Sequence, residues 1–411
     1  MRDIRMTEDD FKDTEIGRIP KEWKVVTFEF CINKIHNRLK SVEKSNYKSL
    51  GRFPIVDQGQ NLITGYSDEK DLLFKEPLPV IIFGDHTRIF KFIDFQFITG
   101  ADGTKILAPN VKKFNPLFLY YQFLSLKIPS KGYNRHFKLL REFPIMMPDI
   151  AEQNRIAYVL STIQNTIEIQ DKMIGELQKL KKSMMHKLFT EGIGHTEFKD
   201  TEIGRVPKEW AVKKLSELFT VQHGISITPV RRSLEPNFPM LRTLNVYWGK
   251  INLDNLDYTF FSDKEITNLN LQFGDLLVCE GGDIGRTAMW EEDMPKIGYQ
   301  NHLHRLRKKI LDISSSFYTY WMQYAILFKK LYINQGNKTT IPNLSQSRLM
   351  GFYVIYPPST EQTRIAEILQ TIDNKITMEE EGKEHLKNLF NTMLNKLMTG
   401  RIRVKDLVMP A

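Results

Sequence analysis

The chain of 411 residues is poor in cysteine and in long hydrophobic runs, and each shortage excludes a class of protein. Its two cysteines, Cys31 and Cys279, lie in different halves and form no CxxC pair, which excludes a disulfide framework and a zinc ribbon. We expect both thiols to be reduced and buried. The longest apolar stretches, such as Leu78–Phe83, have the length of a strand and are too short to span a membrane.

Motifs of nucleotide and catalytic chemistry are also missing. The sequence contains no GxGxxG and no GxxxxGK[ST]. Leu117 departs from the N-P-P-[FY] pattern of adenine methyltransferases, so we interpret Asn115-Pro116 as a helix start. His302 and His304 could share one face of a strand, but no third ligand is close in sequence, so we predict no metal site. With no nucleophile–base arrangement either, we predict that the chain is not an enzyme.

The charge balance leaves several partners open. The formal net charge is +9, which is compatible with a polyanionic partner but does not identify one. Residues 1–13 are charged and include no apolar run, so we expect no signal peptide and a cytoplasmic location.

The most informative feature is an internal repeat. Phe11–Trp23 reads FKDTEIGRIPKEW, and Phe198–Trp210 repeats it with a single change. Further along, EQNRIAYVLSTI begins at Glu152 and EQTRIAEILQTI begins at Glu361. Two long stretches that barely resemble each other lie between these segments. A duplicated enzyme usually keeps its active-site loops, whereas here the loops have changed, which favours recognition over catalysis.

Two long helices are predicted after the variable stretches. Apolar residues recur at alternating steps of four and three from Ile156 to Leu188 and from Ile365 to Leu397, and eight of the ten positions in each series are apolar. This spacing is typical of a left-handed coiled coil. Each helix would hold about 40 residues and measure roughly 60 Å. We expect the two helices to pair antiparallel about an approximate twofold axis, with one variable domain at each end.

Polar residues interrupt both apolar stripes near the middle of each helix. Antiparallel pairing would bring Gln170 close to Glu379 and Lys383, and such residues commonly fix the register of a coiled coil. The alternative is that each helix packs only on its own domain.

The fold class that follows is α+β, with two mixed α/β domains joined by the two antiparallel coiled-coil helices. The predicted segments are 1–148 (first variable domain with the N-terminal repeated segment), 149–190 (first long helix), 191–357 (linker, second repeated segment and second variable domain), 358–400 (second long helix) and 401–411 (tail). Strands are predicted at Val80–Phe83, Phe90–Phe97, Leu276–Cys279 and Phe352–Tyr356, and helices from Pro116 and over Ser314–Leu331.

Candidate nucleic-acid contacts come from two turns and several basic loops. Gly84–Arg88 and Gly282–Arg286 both read G-D-x-x-R after a strand, and each turn could present its arginine to a phosphate or a guanine edge. The alternative is a structural turn in which the Asp and the Arg pair with each other. The predicted DNA-binding residues are Arg88, Lys131, Tyr133, Arg135, His136, Lys138, Arg231, Arg232, Arg286, His302, His304, Arg305 and Lys338.

The repeated segments resemble the specificity subunit of type I restriction–modification systems. The resemblance rests on EIGRIPKEW at Glu15–Trp23, EIGRVPKEW at Glu202–Trp210 and the EQxRIAxxL starts at Glu152 and Glu361. It implies that each variable stretch is a target recognition domain reading one half of a bipartite, asymmetric site in double-stranded DNA, with the long helices setting the spacer.

The resemblance also implies partners. Two modification (methyltransferase) subunits would dock on the scaffold and use S-adenosylmethionine, and restriction (translocase/endonuclease) subunits would use ATP and Mg²⁺. This chain would then catalyse nothing and bind no cofactor of its own. Two alternatives stay open: a fused restriction–methylation enzyme or stand-alone nuclease, which would need a cofactor loop or an acidic cluster, and a coiled-coil scaffold that does not bind DNA.

Overall fold

The computed structural model describes residues 10–15, 17–36, 41–100, 103–130, 132, 135–291, 295–331 and 344–409. The chain divides into two compact units. The first unit comprises Met1–Asp171 and Glu381–Ala411, and the second unit comprises Lys172–Glu380. Each long helix therefore contributes one half to each unit, so the units do not follow the predicted segment limits.

The first unit is built on two four-stranded sheets. The first sheet is antiparallel and has the strand order Ile32–Asn33, Thr104–Pro109, Val80–Gly84, Phe90–Ile93. The second sheet has the order Ser41–Val42, Ile98–Gly100, Phe53–Val56, Gly65–Ser67. Two strand pairs complete the unit: Phe11–Thr14 with Gly17–Pro20, and Lys24–Val26 with Ile145–Met147.

Helices cover the antiparallel sheet of the first unit. They are Phe28–Cys31, Pro116–Ser125 and Phe137–Glu142. Asn115 caps the second of these helices, because its side-chain oxygen accepts hydrogen bonds from the backbone N–H groups of Leu117 and Phe118. The predicted helix start at Asn115-Pro116 is thus confirmed. Val80–Gly84 is buried along its whole length, which explains its continuous apolar run.

The second unit repeats this plan. Its antiparallel sheet has the order Phe219–His223, Leu303–Lys308, Leu276–Cys279, Thr287–Met289, and a smaller sheet has the order Asp257–Thr259, Phe238–Leu241, Gly298–Tyr299. Strand pairs join Phe198–Lys199 to Val206–Pro207 and Ala211–Lys214 to Tyr353–Tyr356. The helices are Leu215–Leu218, Pro229–Arg232, Asp263–Leu269, Ser315–Gln323 with a π-helical continuation at Tyr324–Phe328, and Gln346–Met350.

The long helices run from Ile150 to Thr190 and from Ser359 to Met398. In the first unit, the Lys383 ammonium pairs with the Asp171 carboxylate, and Gln170 lies against Gly382. In the second unit, Lys181 pairs with Asp373 at 2.6 Å.

These contacts confirm antiparallel pairing within each unit. The helices also pack on the domain cores: Ile156 and Leu160 are fully buried in the first unit, and Ile365 and Leu369 in the second.

Within each unit, the two repeated segments are hydrogen-bonded to each other. In the first unit, Trp23 Nε1 donates to Glu152 Oε2 at 2.9 Å, and Arg403 Nε donates to Glu152 Oε1 at 2.6 Å. In the second unit, Trp210 Nε1 donates to Glu361 Oε2 at 2.8 Å, and His195 takes the place of Arg403, with Nε2 3.0 Å from Oε1. The tryptophan of PKEW and the glutamate of EQ are therefore partners.

The glutamine of each EQ motif is equally constrained. Gln153 Oε1 accepts from the backbone N–H of Asn115 at 2.9 Å, and its Nε2 donates to Pro148 O at 3.0 Å. In the second unit, Gln362 Oε1 accepts from the N–H of Ser314 at 3.0 Å, and its Nε2 donates to Pro357 O at 2.8 Å. Each glutamine thus ties the start of a long helix to the cap of a domain helix.

Most predicted strands are present with small changes of length. Leu276–Cys279 matches, whereas the strand predicted over Phe90–Phe97 ends at Ile93. Both cysteines are buried, and burial raises the pKa of Cys31 to about 12 and that of Cys279 to about 11. Among the described residues, no helix combines the length and the apolar character needed to cross a membrane.

Candidate nucleic-acid interface

The G-D-x-x-R turn of the first unit anchors a neighbouring basic segment. Arg88 has a φ of +62° and donates from Nη1 to Ile128 O at 3.0 Å, so its half-buried side chain points back toward the domain. Asp85 is 2 % exposed and accepts from the backbone N–H of Phe137 at 2.7 Å. This bond caps the helix Phe137–Glu142 and leaves Arg135 and Lys138 exposed beside the turn. Three of the predicted DNA-binding residues therefore lie in one region.

A buried lysine, Lys91, fixes a loop that contacts the same turn. Lys91 is 4 % exposed, and its ammonium donates to the carbonyl oxygens of Asp57 at 2.7 Å and Asn61 at 2.5 Å. Burial lowers the pKa of Lys91. The loop held in this way carries Gln58, whose Oε1 accepts from the N–H of His86 in the turn.

The equivalent turn of the second unit is a closed structural element. Arg286 Nη1 lies 3.5 Å from Asp283 Oδ2, and Nη2 donates to Thr243 O at 3.0 Å. The guanidinium also lies 5.6 Å from the centre of the Tyr247 ring. With 13 % of its side chain exposed, Arg286 has the role that we gave as the alternative, a pairing of Asp and Arg within the turn.

A cleft of about 580 Å³ in the second unit unites three other candidates, Arg231, Arg232 and His302. Gln300 and Asn301 line it as well, next to His302. Arginine recognises guanine edges, and asparagine and glutamine recognise adenine edges, so the lining has the donors and acceptors that base recognition needs. The remaining lining residues are Ser226, Ile227, Leu234, Pro236, Met240, Arg242, Asp257, Tyr258 and Thr259.

Ion pairs neutralise two of the arginines of this cleft. Arg231 Nη2 pairs with Glu265 Oε1 at 2.6 Å, and Arg242 Nε pairs with Asp257 Oδ2 at 3.0 Å. Hydrogen bonding from Arg231 lowers the pKa of Glu265 to about 2. Arg232, in contrast, is exposed at the cleft. The structure therefore assigns Arg231 a positioning role and leaves Arg232 accessible to a ligand.

Three predicted contacts are corrected by their burial. His136 and His304 have no exposed surface and Arg305 is 6 % exposed, so none of them can reach a ligand at the surface. His136 Nδ1 bonds to Asp85 O, and Arg305 Nη1 donates to Asn268 O. His304 and Arg305 belong to Leu303–Lys308, an inner strand of the sheet whose first four residues are buried, and not to an exposed basic loop.

His304 is held by its Nε2, which donates to Leu344 O at 2.8 Å, and burial lowers its pKa. Three further candidates, Lys131, Tyr133 and Lys338, lie outside the described residues. For them, DNA contact stays a prediction.

Sequence reasoning missed Gln300, Asn301 and Arg242. Gln300 and Asn301 directly precede His302, so their polar character next to a predicted contact could have identified them. Arg242 is distant in sequence from the other basic residues and follows an apolar strand, and nothing local distinguishes it.

Comparison with known proteins gives one consistent result. The family described as type I restriction modification DNA specificity domain matches residues 20–179 and 207–388. The type I restriction enzyme MjaVIII specificity subunit of Methanocaldococcus jannaschii is 28% identical over 424 residues, covering 97% of each chain. The putative MjaX specificity subunit of the same organism is 26% identical, covering 97% of this chain and 98% of the relative.

Solved structures show the same fold at lower identity. A crystal structure of a type I restriction–modification S subunit from M. genitalium superposes with a TM-score of 0.59 at 18% identity, covering 91% of this chain and 96% of that one. A second chain, from a study of the assembly and conformational transition of the type I R-M system, gives 0.56 at 14% identity, covering 93% and 99%.

Proposed function

Because the chain belongs to the type I restriction modification DNA specificity family, we propose that each of its two domains reads one half of a bipartite site in double-stranded DNA. The protein is then the specificity subunit of a type I restriction–modification complex. The fused restriction–methylation enzyme and the nuclease that we considered have no support in the family match.

One observation carries this proposal. The antiparallel sheets of the two units have the same strand order, yet the residues at matching positions differ. Exposed polar side chains near the sheets include Thr87, Arg135 and Lys138 in the first unit, and Arg232 and His302 in the second. One framework with two sets of exposed side chains is what an asymmetric bipartite site requires, since each half must be distinguished from the other.

Within each unit, we propose a specific contact surface. In the second unit it is the cleft with Arg232, Gln300, Asn301 and His302. In the first unit it is the exposed segment with Arg135 and Lys138, together with Thr87 of the anchored turn. Side chains of these types bind base edges and phosphates.

The remaining parts of the proposal concern the complex. The paired long helices set the unread spacer and dock two modification (methyltransferase) subunits, which supply S-adenosylmethionine chemistry. The restriction (translocase/endonuclease) subunits supply ATP- and Mg²⁺-dependent chemistry. This chain contributes recognition, with no catalytic step and no catalytic cofactor of its own, and the complex works in the cytoplasm, where the DNA is.

The decisive experiment exchanges one domain and sequences the methylated motif. Residues 213–357 are replaced by the equivalent part of a relative, and the chain is reconstituted with its modification subunits. We expect one half of the methylated motif to change and the other half and the spacer to persist. A change in both halves would contradict the modular reading.

Point variants then test the cleft. Arg232→Ala and Gln300→Ala should each weaken binding to the cognate duplex by about 1–3 kcal/mol, with a smaller loss on a duplex whose second half-site is scrambled. Arg364→Ala is a matched control, because Arg364 lies on the second long helix with 67% of its side chain exposed. Losses for Arg232→Ala that are equal on both duplexes would reduce it to a phosphate contact.

A further inference from the structure

A group of potential metal ligands lies at one end of the antiparallel sheet of the second unit. His223 and His304 face each other directly across the strands Phe219–His223 and Leu303–Lys308. Glu280 follows the neighbouring strand Leu276–Cys279, and its backbone N–H donates to His302 O at 2.9 Å. One ligand atom from each of His223, Glu280 and His304 lies within 4.8 Å of the others.

The hydrogen bond made by His304 fixes the state of its imidazole. Leu344 O can only accept, so the Nε2 of His304, 2.8 Å away, carries the proton. Nδ1 therefore has a free lone pair. Nδ1 is buried and has no hydrogen-bond partner in the described part of the chain. The side chain has no exposed surface, so bulk water does not reach this atom either. A metal-binding histidine has this arrangement, with one nitrogen donating to a backbone carbonyl and the other directed at the ion.

The other two ligands suit the same ion. The His223 ring centre is 4.6 Å from that of His304, and His223 is exposed, which gives an ion a route from solvent. The Glu280 carboxylate is 12% exposed, and one of its oxygens lies within 4.8 Å of a ring nitrogen of each histidine of the group; Oε2 also lies 3.5 Å from Nδ1 of the neighbouring His302. Two imidazoles and one carboxylate form a ligand set that binds Zn²⁺ and leaves a fourth position open.

We propose that His223, Glu280 and His304 form a binding site for a divalent transition-metal ion, with Zn²⁺ as the best match. The ion would join two paired strands and the end of a third. Through His304 it would also hold Leu344, whose N–H donates to Glu280 O at 2.9 Å. The site departs from the sequence prediction of no metal site, because His223 and Glu280 are far from His304 in sequence and are brought to it by neighbouring strands.

Metal titration of the untagged, chelator-treated full chain tests the proposal without reference to DNA. Zn²⁺ binding is measured by calorimetry and Co²⁺ binding by visible absorption. We expect one ion per chain and a ligand-field spectrum typical of nitrogen and oxygen ligands. Zn²⁺ should also raise the thermal unfolding temperature, since it binds the folded chain.

Variants distinguish this site from adventitious binding. His223→Ala and Glu280→Gln should each weaken Zn²⁺ binding by at least about tenfold and abolish the thermal shift. His385→Ala, which removes an exposed histidine of the second long helix, should change neither. These two variants are used because His304→Ala removes a buried side chain. Unchanged affinity in both His223→Ala and Glu280→Gln, or equal weakening by His385→Ala, would overturn the proposal.

Discussion

The buried ion pair between Glu152 and Arg403 gives the most direct test of what stabilises the first unit. The Glu152 side chain is 1% exposed, and both of its oxygens accept from the Arg403 guanidinium, at 2.6 Å and 2.7 Å. Oε2 also accepts from Trp23 Nε1. Glu152→Gln preserves the shape of this side chain and removes its charge. The substitution therefore leaves Arg403, 12% exposed, without its buried counter-ion.

Loss of one member of a buried ion pair costs about 3–5 kcal/mol, because the remaining charge is desolvated without compensation. Glu22 also contacts Arg403, at 3.0 Å, but 62% of its side chain is exposed, so it offsets only part of the loss. We therefore expect a decrease of about 3 kcal/mol in the free energy of unfolding of the first unit, which corresponds to roughly 150-fold in the equilibrium constant.

The second unit provides a matched comparison. Glu361→Gln removes the equivalent charge, but its partner there is a histidine, His195, and an imidazole, unlike a guanidinium, need not carry a charge. The single amide oxygen of the substituted side chain can still accept from Trp210, while the N–H of Ile193, an exposed residue, can bond to water instead. We expect a cost of about 1 kcal/mol. Combining Glu152→Gln with Arg403→Met should recover most of the loss in the first unit, since no buried charge remains unpaired.

Hydrogen exchange followed by mass spectrometry resolves the two units separately. Amides around Ile156 should exchange on the order of a hundredfold faster in Glu152→Gln, and those around Ile365 should respond less to Glu361→Gln. Equal effects of the two variants, or no recovery in the double variant, would refute the claim that an unpaired guanidinium causes the loss.

Three further predictions concern stability. The pKa of Glu265 in the folded state is about 2, below its ordinary value of 4.5. The stability from its pair with Arg231 is therefore present above about pH 4.5 and is lost as the pH falls toward 2. In denaturant titrations, the difference in unfolding free energy between wild type and Glu265→Gln should be about 2 kcal/mol at pH 7 and should shrink below about pH 4. Lys91→Met leaves the buried carbonyl oxygen of Asp57 and the partly buried one of Asn61 without this donor, and removes the cation 3.9 Å from the Asp57 carboxylate. We expect a cost of about 2–3 kcal/mol by the same titrations, and a neutral effect would mean that water replaces the ammonium. Gly224→Ala would place a Cβ 2.0 Å from Tyr299 O, and we expect thermal unfolding to show a loss of about 2–3 kcal/mol; an unchanged midpoint would contradict the close approach.

Local patterns in the sequence predicted the long helices and their pairing. The predicted limits of 149–190 and 358–400 differ from the observed helices by two residues or fewer at each end. Heptad spacing, a proline before each helix and a glycine after it are all local signals. The repeat also identified the constant segments correctly as scaffold, but not that Trp23 contacts Glu152, 129 residues away.

The candidate site was less predictable, because its arginines are neutralised by distant residues. Arg231 pairs with Glu265, 34 residues along the chain, and Arg242 pairs with Asp257, also further along the chain. The sequence alone does not distinguish an arginine that pairs with a distant carboxylate from one that is free to bind a DNA phosphate. The strand Leu303–Lys308 also misled the prediction, because its first four residues are buried, on both faces of the sheet. In such a strand, the alternation of side chains between the two faces does not separate exposed residues from buried ones.

The composition of the first unit has a consequence for synthesis on the ribosome. The second unit is a continuous segment, whereas the first unit needs residues 381–411 from the far end of the chain. Glu152 precedes Arg403 by 251 residues. At elongation rates of about 5–20 residues per second, the early part of the chain therefore waits on the order of ten to fifty seconds for its missing segment. During that interval the apolar side chains that contact residues 381–411 lack this cover, so the part of the protein that is made first is completed last.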